Sequence, residues 1–415
     1  KFDPISQKDF YRFYGIMVSS RPTVRNVDSP ARREMHRDGI ADVKEQVREA
    51  LAAHWLNQLD EAMQRLEPSN LQNLPDPDPF AAWAAAAAQP PEKLTQVLRS
   101  HSKSHRDRVA HNTKAREEAT FYLDVRDPAA TDRWFGNGNG LSGAISPAGS
   151  FALTANGDRA LTGIYPAGIY SHLASDKHSA TLSTVFHEAQ GVHNAVRGIG
   201  NGATARFAAR SYALSHGLLH PSAKFGDQIG WKTIGKYDYW NGEQGYHHIA
   251  TAADSTSRPG GERSWFGILE ICAGDTMPKE TGAPLAAWQT NVIGNRDALR
   301  QAYRDGLQRA LRGWRDGTLD DNHAILLDAA RRHGILPDKL AGLPKPVQQL
   351  VTRYRALEAA IPVPTRVAGV MEGEVWNQPL LDRGDPRQEG EAVTRRFLEV
   401  FPGADYPADA SGRLE

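Results

Sequence analysis

Fifteen histidines and a single cysteine bound the chemistry open to this 415-residue chain. One thiol, Cys272, excludes an internal disulfide, a four-cysteine zinc site and an iron–sulfur cluster. At the end of the run Trp265 to Ile271 it reads as a buried core thiol. His187-Glu188 and His193 are the residue types of a zinc-protease helix, but ligands six apart sit ~120° off a shared helix face, and Gly191 weakens any helix there. His172, His178, His216, His220, His247 and His248 fall in the same region without a metal-ligand spacing. Gly138, Gly140 and Gly143 match a dinucleotide-binding pattern. Pro147 and Gly149 follow where a helix N-terminus should receive the pyrophosphate, so the stretch reads as a loop. There is no Gly-x-Ser-x-Gly elbow and no phosphate loop ending in Lys-Ser/Thr. Carboxylate pairs are plentiful and none is specific. The motifs do not support an enzyme for this chain.

Binding character resides in Tyr237, Tyr239, Trp240, Tyr246, His247 and His248, followed by Asp254 and Trp265. With Asn241-Gly242 as a two-residue hairpin loop, Trp240 pairs with Glu243 and Tyr237 lies opposite Tyr246. Tyr237, Tyr239, Tyr246 and His248 then share one face, because strand side chains alternate. Such rings either stack on sugar rings from a concave sheet or form the core of a sandwich. The candidate ligand contacts are Tyr237, Tyr239, Trp240, His248 and Trp265. Asp238, Glu243 and Asp254 are candidate oxygen ligands for calcium, a hard cation.

The elements that must position these residues read as helical, then β-rich, then helical. Phe10, Phe13 and Tyr14 fit one face of an N-terminal helix. From Ser29-Pro30 the stripe Ile40, Val43, Val47, Leu51, Trp55, Leu59, Met63 and Leu66 predicts a long helix, stopped by Pro68. A Pro/Asp linker spans 75–79 and a second helical region 91–119. Its basic, histidine-rich stretch (Arg99 to Arg116) reads as a solvated face. Between Phe121 and Cys272, short alternating runs separated by turns such as Asn156-Gly157-Asp158 suggest a two-sheet sandwich or jelly roll. Helices return after Thr281. One carries Leu285, Trp288, Val292, Leu299, Tyr303, Leu307, Leu311 and Trp314. A second is capped by Asp320-Asp321 and ends at Gly334, and a third opens at Pro344. The expected fold is α+β, an antiparallel β-sandwich at 120–275 flanked by helical segments at 1–119 and 276–415.

Forty-nine basic against 49 acidic residues leave no net charge, which argues against a dedicated nucleic-acid binder. The longest apolar run, Phe80 to Ala88, is nine residues, about half of what a membrane-spanning helix needs.

KFDPISQKDFYRFYG at the start resembles the end of the cytochrome-like domain of planctomycete-type cytochrome c domain proteins, large cell-envelope proteins of unknown function. LTGIYPAGIYSHLASDKHSATL (161–182), KYDYWNGEQGYHHIATAAD (236–254) and RSWFGI (263–268) resemble their middle module, a concanavalin-A-like jelly roll. IPVPTRVAGVMEG, QPLLDRGDPRQEGEAVTRRFLEVF and SGRLE resemble the run into their C-terminal conserved domain. The chain has no CxxCH, so the resemblance implies haem c in the parent protein and none attached here. It implies the central part of a larger protein of the periplasm or cell envelope. That part is expected to be a non-catalytic binding and scaffolding region for a carbohydrate or another cell-surface ligand, beside an electron-transfer domain. The other domains of the parent are its expected partners. A carbohydrate-active enzyme with two carboxylates on the concave face and a purely structural spacer are the alternatives.

Overall fold

The structure, a computed structural model, describes residues 5–67, 69, 71, 73–141, 145–210, 222–235, 241–252, 263–282, 294–385, 388–401, 403, 405 and 406.

Capping residues and apolar spacing account for the helices. Ser6 and Asp9 form a reciprocal capping box that starts α1 (Gln7–Val18). The Phe10, Phe13 and Tyr14 face is present but turned outward: Tyr11, Ile16 and Val18 are buried, while Phe10 is 56% exposed. The long stripe from Ile40 to Leu66 is buried throughout. The expected single helix is divided into α2 (Pro30–Arg33), α3 (Arg37–Asn57) and α4 (Leu59–Gln64), of which α3 and α4 carry the stripe as far as Met63. His36, at a left-handed φ of 63°, and non-helical Gln58 mark the breaks. α5 (Ala81–Ala87) and α6 (Leu94–Glu117) follow. Asn295 caps α7 (Arg296–Arg315), and Asp320 caps α8 (Asp321–Arg332), with Gly334 at φ 73° just beyond its end. Pro344 opens α9 (Lys345–Ala360). Leu285, Trp288 and Val292 lie outside the described residues.

The strands are β1 (Ser20–Asn26), β2 (Phe121–Asp124), β3 (Trp134–Asn137), β4 (Ser150–Leu153), β5 (Leu161–Tyr165), β6 (Ile169–Tyr170), β7 (Thr181–Thr184), β8 (His187–Glu188) and β9 (His193–Asn201). They continue with β10 (Thr204–Ala209), β11 (Ser222–Lys224), β12 (Gly230–Gly235), β13 (Gln244–Ala250), β14 (Trp265–Gly274), β15 (Arg366–Glu372), β16 (Pro379–Leu381) and β17 (Glu389–Ala392). One sheet has the order β11-β10-β13-β7-β3, with β8 also on β13; a second has the order β12-β9-β14-β2, with β6 also on β14. The ladders described within both sheets are antiparallel. Leu182, Ala205, Phe207 and Ile249 of the first meet Leu123, Val196, Phe266, Ile268 and Ile271 of the second in one core. The fold is therefore α+β, with two antiparallel sheets face to face. Gly138 ends β3 at φ 112°, where a Cβ would collide with the Ser179 carbonyl, so close chain approach accounts for a glycine in that loop.

β12 pairs with β9 and β13 with β10, so β12 and β13 belong to different sheets rather than to one hairpin. The segment 236–240, on which the expected Asn241-Gly242 hairpin depends, lies outside the described residues.

The helical blocks on either side of the sandwich do not make separate cores. Trp55 of α3 stacks on Trp314 of α7 with ring centroids 5.7 Å apart, and Phe80 stacks on Tyr303 at 5.2 Å. β4 and β5 form a hairpin around Asn156-Gly157, with Gly157 at φ 85°. The hairpin leaves the sandwich and sends Phe151, Leu153, Leu161 and Ile164 into the helical core.

The two ends of the chain are joined as well. β1 pairs with β15 over seven residues, from Ser20 opposite Glu372 to Asn26 opposite Arg366. Tyr11 of α1 packs on Leu381 and Val393. This clasp roofs the outer face of the first sheet: Thr23 Oγ1 is 3.0 Å from Thr181 Oγ1, and the Arg21 guanidinium sits between the rings of Tyr246 (4.1 Å) and Phe186 (4.3 Å).

Candidate binding cleft

A cleft of about 310 Å³ lies between the outer face of the second sheet and the helical layer. β9 sends Val196 into the sandwich and Arg197 and Ile199 outward to the cleft, as strand alternation requires. α8 contributes Ile325, Asp328 and Arg332, whose steps of three and four share one helix face. Pro75, Pro77 and Pro79 of the Pro/Asp stretch line the opposite rim, with Ile164, Tyr165 and Pro166 from β5 and its exit.

The remaining wall, Glu280 and Gly282, is held by the basic, histidine-rich face of α6. Asn112 Nδ2 donates to the Lys279 carbonyl (2.7 Å) and Asn112 Oδ1 accepts from its amide (2.8 Å). His111 Nε2 donates to the Met277 carbonyl and His105 Nδ1 to the Thr281 carbonyl, each at 2.9 Å. The stretch expected to be a solvated face therefore grips a strap of chain.

Beneath the cleft lies Glu270, 1% exposed. The register of β14 against β9 shifts between Ile268 and Glu270, so Leu269 and Glu270 both leave the sandwich core while Ile268 and Ile271 stay in it. The Glu270 carboxylate accepts from Tyr122 Oη (2.8 Å), Arg116 (2.7 Å), Arg197 (3.0 Å) and Arg126 (3.3 Å). Burial alone would raise its pKa; Arg197, Arg116 and Arg126 outweigh burial and hold it below the usual range. Arg197 also binds Glu280 through Nε and Nη2 (3.1 and 2.9 Å). Asp328 accepts from Arg331 Nη2 (2.9 Å), Arg332 Nε (3.1 Å) and the Ile164 amide (3.2 Å). Asp78 accepts from His333 Nε2 and the Phe80 amide, each at 2.9 Å. Each of these cleft carboxylates is thus already engaged by donors.

Of the sequence-selected ligand contacts, Trp265 lies behind the cleft wall. It stacks on His172 at 3.6 Å between centroids, and His172 Nε2 is 2.9 Å from Tyr165 Oη. Burial, with the Lys44 charge nearby, holds the His172 pKa well below the ordinary value. His248 is on the outer face of the first sheet, buried under the clasp, with Nδ1 2.9 Å from Ser183 Oγ. Both residues pack rather than present an open platform. Tyr237, Tyr239 and Trp240 lie outside the described residues, as do the proposed calcium ligands Asp238 and Asp254. Glu243 is described: its carbonyl accepts from the Ala189 amide at 2.8 Å. Among the described residues no three His, Cys, Asp or Glu side chains are grouped to hold a metal ion.

Sequence reasoning missed a polar row inside the sandwich. His187 Nε2 is 3.0 Å from His247 Nδ1, His247 Nε2 lies against Asn194 Oδ1, and His187 Nδ1 is 3.3 Å from the Glu188 carbonyl. Burial holds the pKa of both rings below the ordinary histidine value, so both are neutral. An amide oxygen only accepts, so His247 donates to Asn194 from Nε2. The period-two set Gly245, His247 and Ile249 marked one face of β13, but alternation alone does not say which face is interior.

No family model, no curated protein and no solved structure matches this chain.

Proposed function

We propose that this chain is a non-catalytic carbohydrate-binding and scaffolding region of a larger cell-envelope cytochrome c-type protein, its sandwich a concanavalin-A-like jelly roll. The cleft carries the binding half of this reading. Its walls are isoleucine and proline, suited to the C–H faces of a sugar ring, and polar groups stand at its edges. A glycosidase needs paired carboxylates about 5–10 Å apart, one of them free to exchange a proton with substrate. Asp78, Glu280 and Asp328 are each committed to donors, which favours holding over hydrolysis. Calorimetric titration of the whole chain with neutral and acidic oligosaccharides tests it. Binding that Ile229→Glu abolishes without lowering the melting temperature supports the reading, and absence of binding to every sugar overturns it.

The spacer reading draws on the β1–β15 clasp, which brings residues 20–26 and 366–372 side by side. It expects no sugar binding at all. The residues here do not fit a thioether-bound haem, since Cys272 is the one cysteine and is buried in β14. The cytochrome part of the proposal therefore concerns the parent. A reduced-minus-oxidised visible spectrum of the native protein, with its intact mass, tests it; a spectrum without c-type haem bands removes it.

A further inference from the structure

We infer that the cleft selects an acidic sugar, a uronic-acid unit whose carboxylate is taken by Arg332. The inference rests on the carbohydrate reading above and adds the ligand's charge. Two arginines line the cleft, and they differ in what they have left to give. Arg197 spends Nη1 on Glu270 and Nε and Nη2 on Glu280. Arg332 uses Nε alone, on Asp328 Oδ2 at 3.1 Å. Among the described residues its Nη1 and Nη2 have no hydrogen-bond partner, and its side chain keeps 25% exposure.

The Nε bond does two things. It fixes the plane of the guanidinium, and it leaves the Nη1–Nη2 edge as a two-pronged donor. That edge matches the two oxygens of a carboxylate. The counter-charge of Asp328 is already shared with Arg331, through Nε (3.1 Å) and Nη2 (2.9 Å). Arg331 in turn reaches Asp338 through Nη1 (3.3 Å), so both of its charged partners are internal and the open edge at this wall is that of Arg332. Ile199, Ile229 and Ile325 offer apolar surface to the ring, and exposed Gln228 offers an amide to hydroxyls. A cleft of about 310 Å³ is at the small end for ligand pockets, which suits one or two rings.

The test is calorimetric titration of the full chain with a glucuronate-containing disaccharide and its uncharged glucose counterpart. The acidic disaccharide is expected to bind about ten-fold more tightly, the usual scale of a charge-assisted hydrogen bond. Arg332→Gln should abolish the difference between the two sugars. Arg332→Lys, which keeps the charge and loses the fork, should restore only part of it. Asp328 keeps Arg331 and the Ile164 amide as partners in both variants, and thermal melts check that they fold. Equal affinities for the two sugars in the wild type overturn the acidic preference and leave the carbohydrate reading standing. Preference that survives Arg332→Gln overturns the role of Arg332. Binding of neither sugar overturns the acidic inference, and absence of binding to every sugar of the wider titration overturns the carbohydrate reading with it.

Discussion

His187 Nε2 lies 3.0 Å from His247 Nδ1 in the middle of the sandwich, with the Phe121 ring stacked on His187 at 4.1 Å. Two neutral imidazoles and an amide thus share one directional row of hydrogen bonds in a core that is otherwise apolar. Protonating either ring puts a charge into low dielectric.

Acid should therefore loosen the sandwich. Burial lowers the His187 pKa from 6.5 to about 4, with the nearby Arg133 charge acting in the same direction. A folded pKa below the unfolded one means the unfolded chain binds the proton more readily. The stability is present in full above pH 6.5 and lost as pH falls toward 4, by about 3 kcal/mol for this residue. Urea midpoints measured from pH 7.5 to 4.5 should fall in the wild type and fall less in His187→Gln. Parallel curves would show that the row is not the acid-sensitive element.

Removing the charge of Glu270 should be costly. Glu270→Gln leaves Arg116, Arg126 and Arg197 facing a neutral amide, and breaking a buried ion cluster this way costs about 3–5 kcal/mol. Because the Glu270 pKa is lowered, its contribution persists above the unfolded value of 4.5 and disappears as pH falls through the folded value. The difference in urea midpoint between wild type and variant at pH 7 should shrink toward pH 3. A difference under 1 kcal/mol at pH 7 would contradict the assignment.

Trp314→Ala tests whether the two helical blocks are one core. The indole is buried, stacked on Trp55, edge-on to Phe151 at 5.3 Å, and bonded through Nε1 to the Gly149 carbonyl at 2.9 Å. A loss of about 3–5 kcal/mol is expected. Hydrogen exchange should rise in α3 and β4 as well as in α7. Exchange that rises in α7 alone would mean separate cores.

Thr23→Val probes the clasp. The hydroxyl meets Thr181 Oγ1 and accepts from Asn137 Nδ2, both at 3.0 Å. Its loss should cost about 1–3 kcal/mol and speed exchange in β15, whose Gly369 lies opposite Thr23 in the β1–β15 ladder. Protection in β15 equal to the wild type would show that the clasp is anchored elsewhere.

Local signals in the chain were sufficient for local structure. Asp320, Gly334 and Pro344 bound their helices where capping chemistry puts them, and Asn156-Gly157 turns a hairpin because glycine tolerates the left-handed φ that the turn demands. The stripe from Ile40 to Leu66 named the buried side of α3 and α4, since spacing along a helix fixes which residues share a face. What a face packs against is a separate matter, settled by partners far away in the chain. Phe10 and Phe13 make a good helical face and stay largely exposed, Phe13 meeting Phe397 edge to face, while Gly15 on the other side lies against Trp376 and Arg395. His248 shares a face with Tyr246, and that face is covered by β1, whose Arg21 lies over the Tyr246 ring. Glu270 interrupts an apolar strand, and its meaning emerges only when a bulge and three arginines from α6, β9 and the segment after β2 converge on it. Trp265, picked out as a surface contact, lies behind the cleft because His172 and Tyr165 come between. Backbone preference acts over a few residues and can be read from neighbours in sequence. Burial and charge pairing act through space, so the cleft and its Arg332 edge exist only once α8, β9 and the strap from Met277 to Gly282 are packed together.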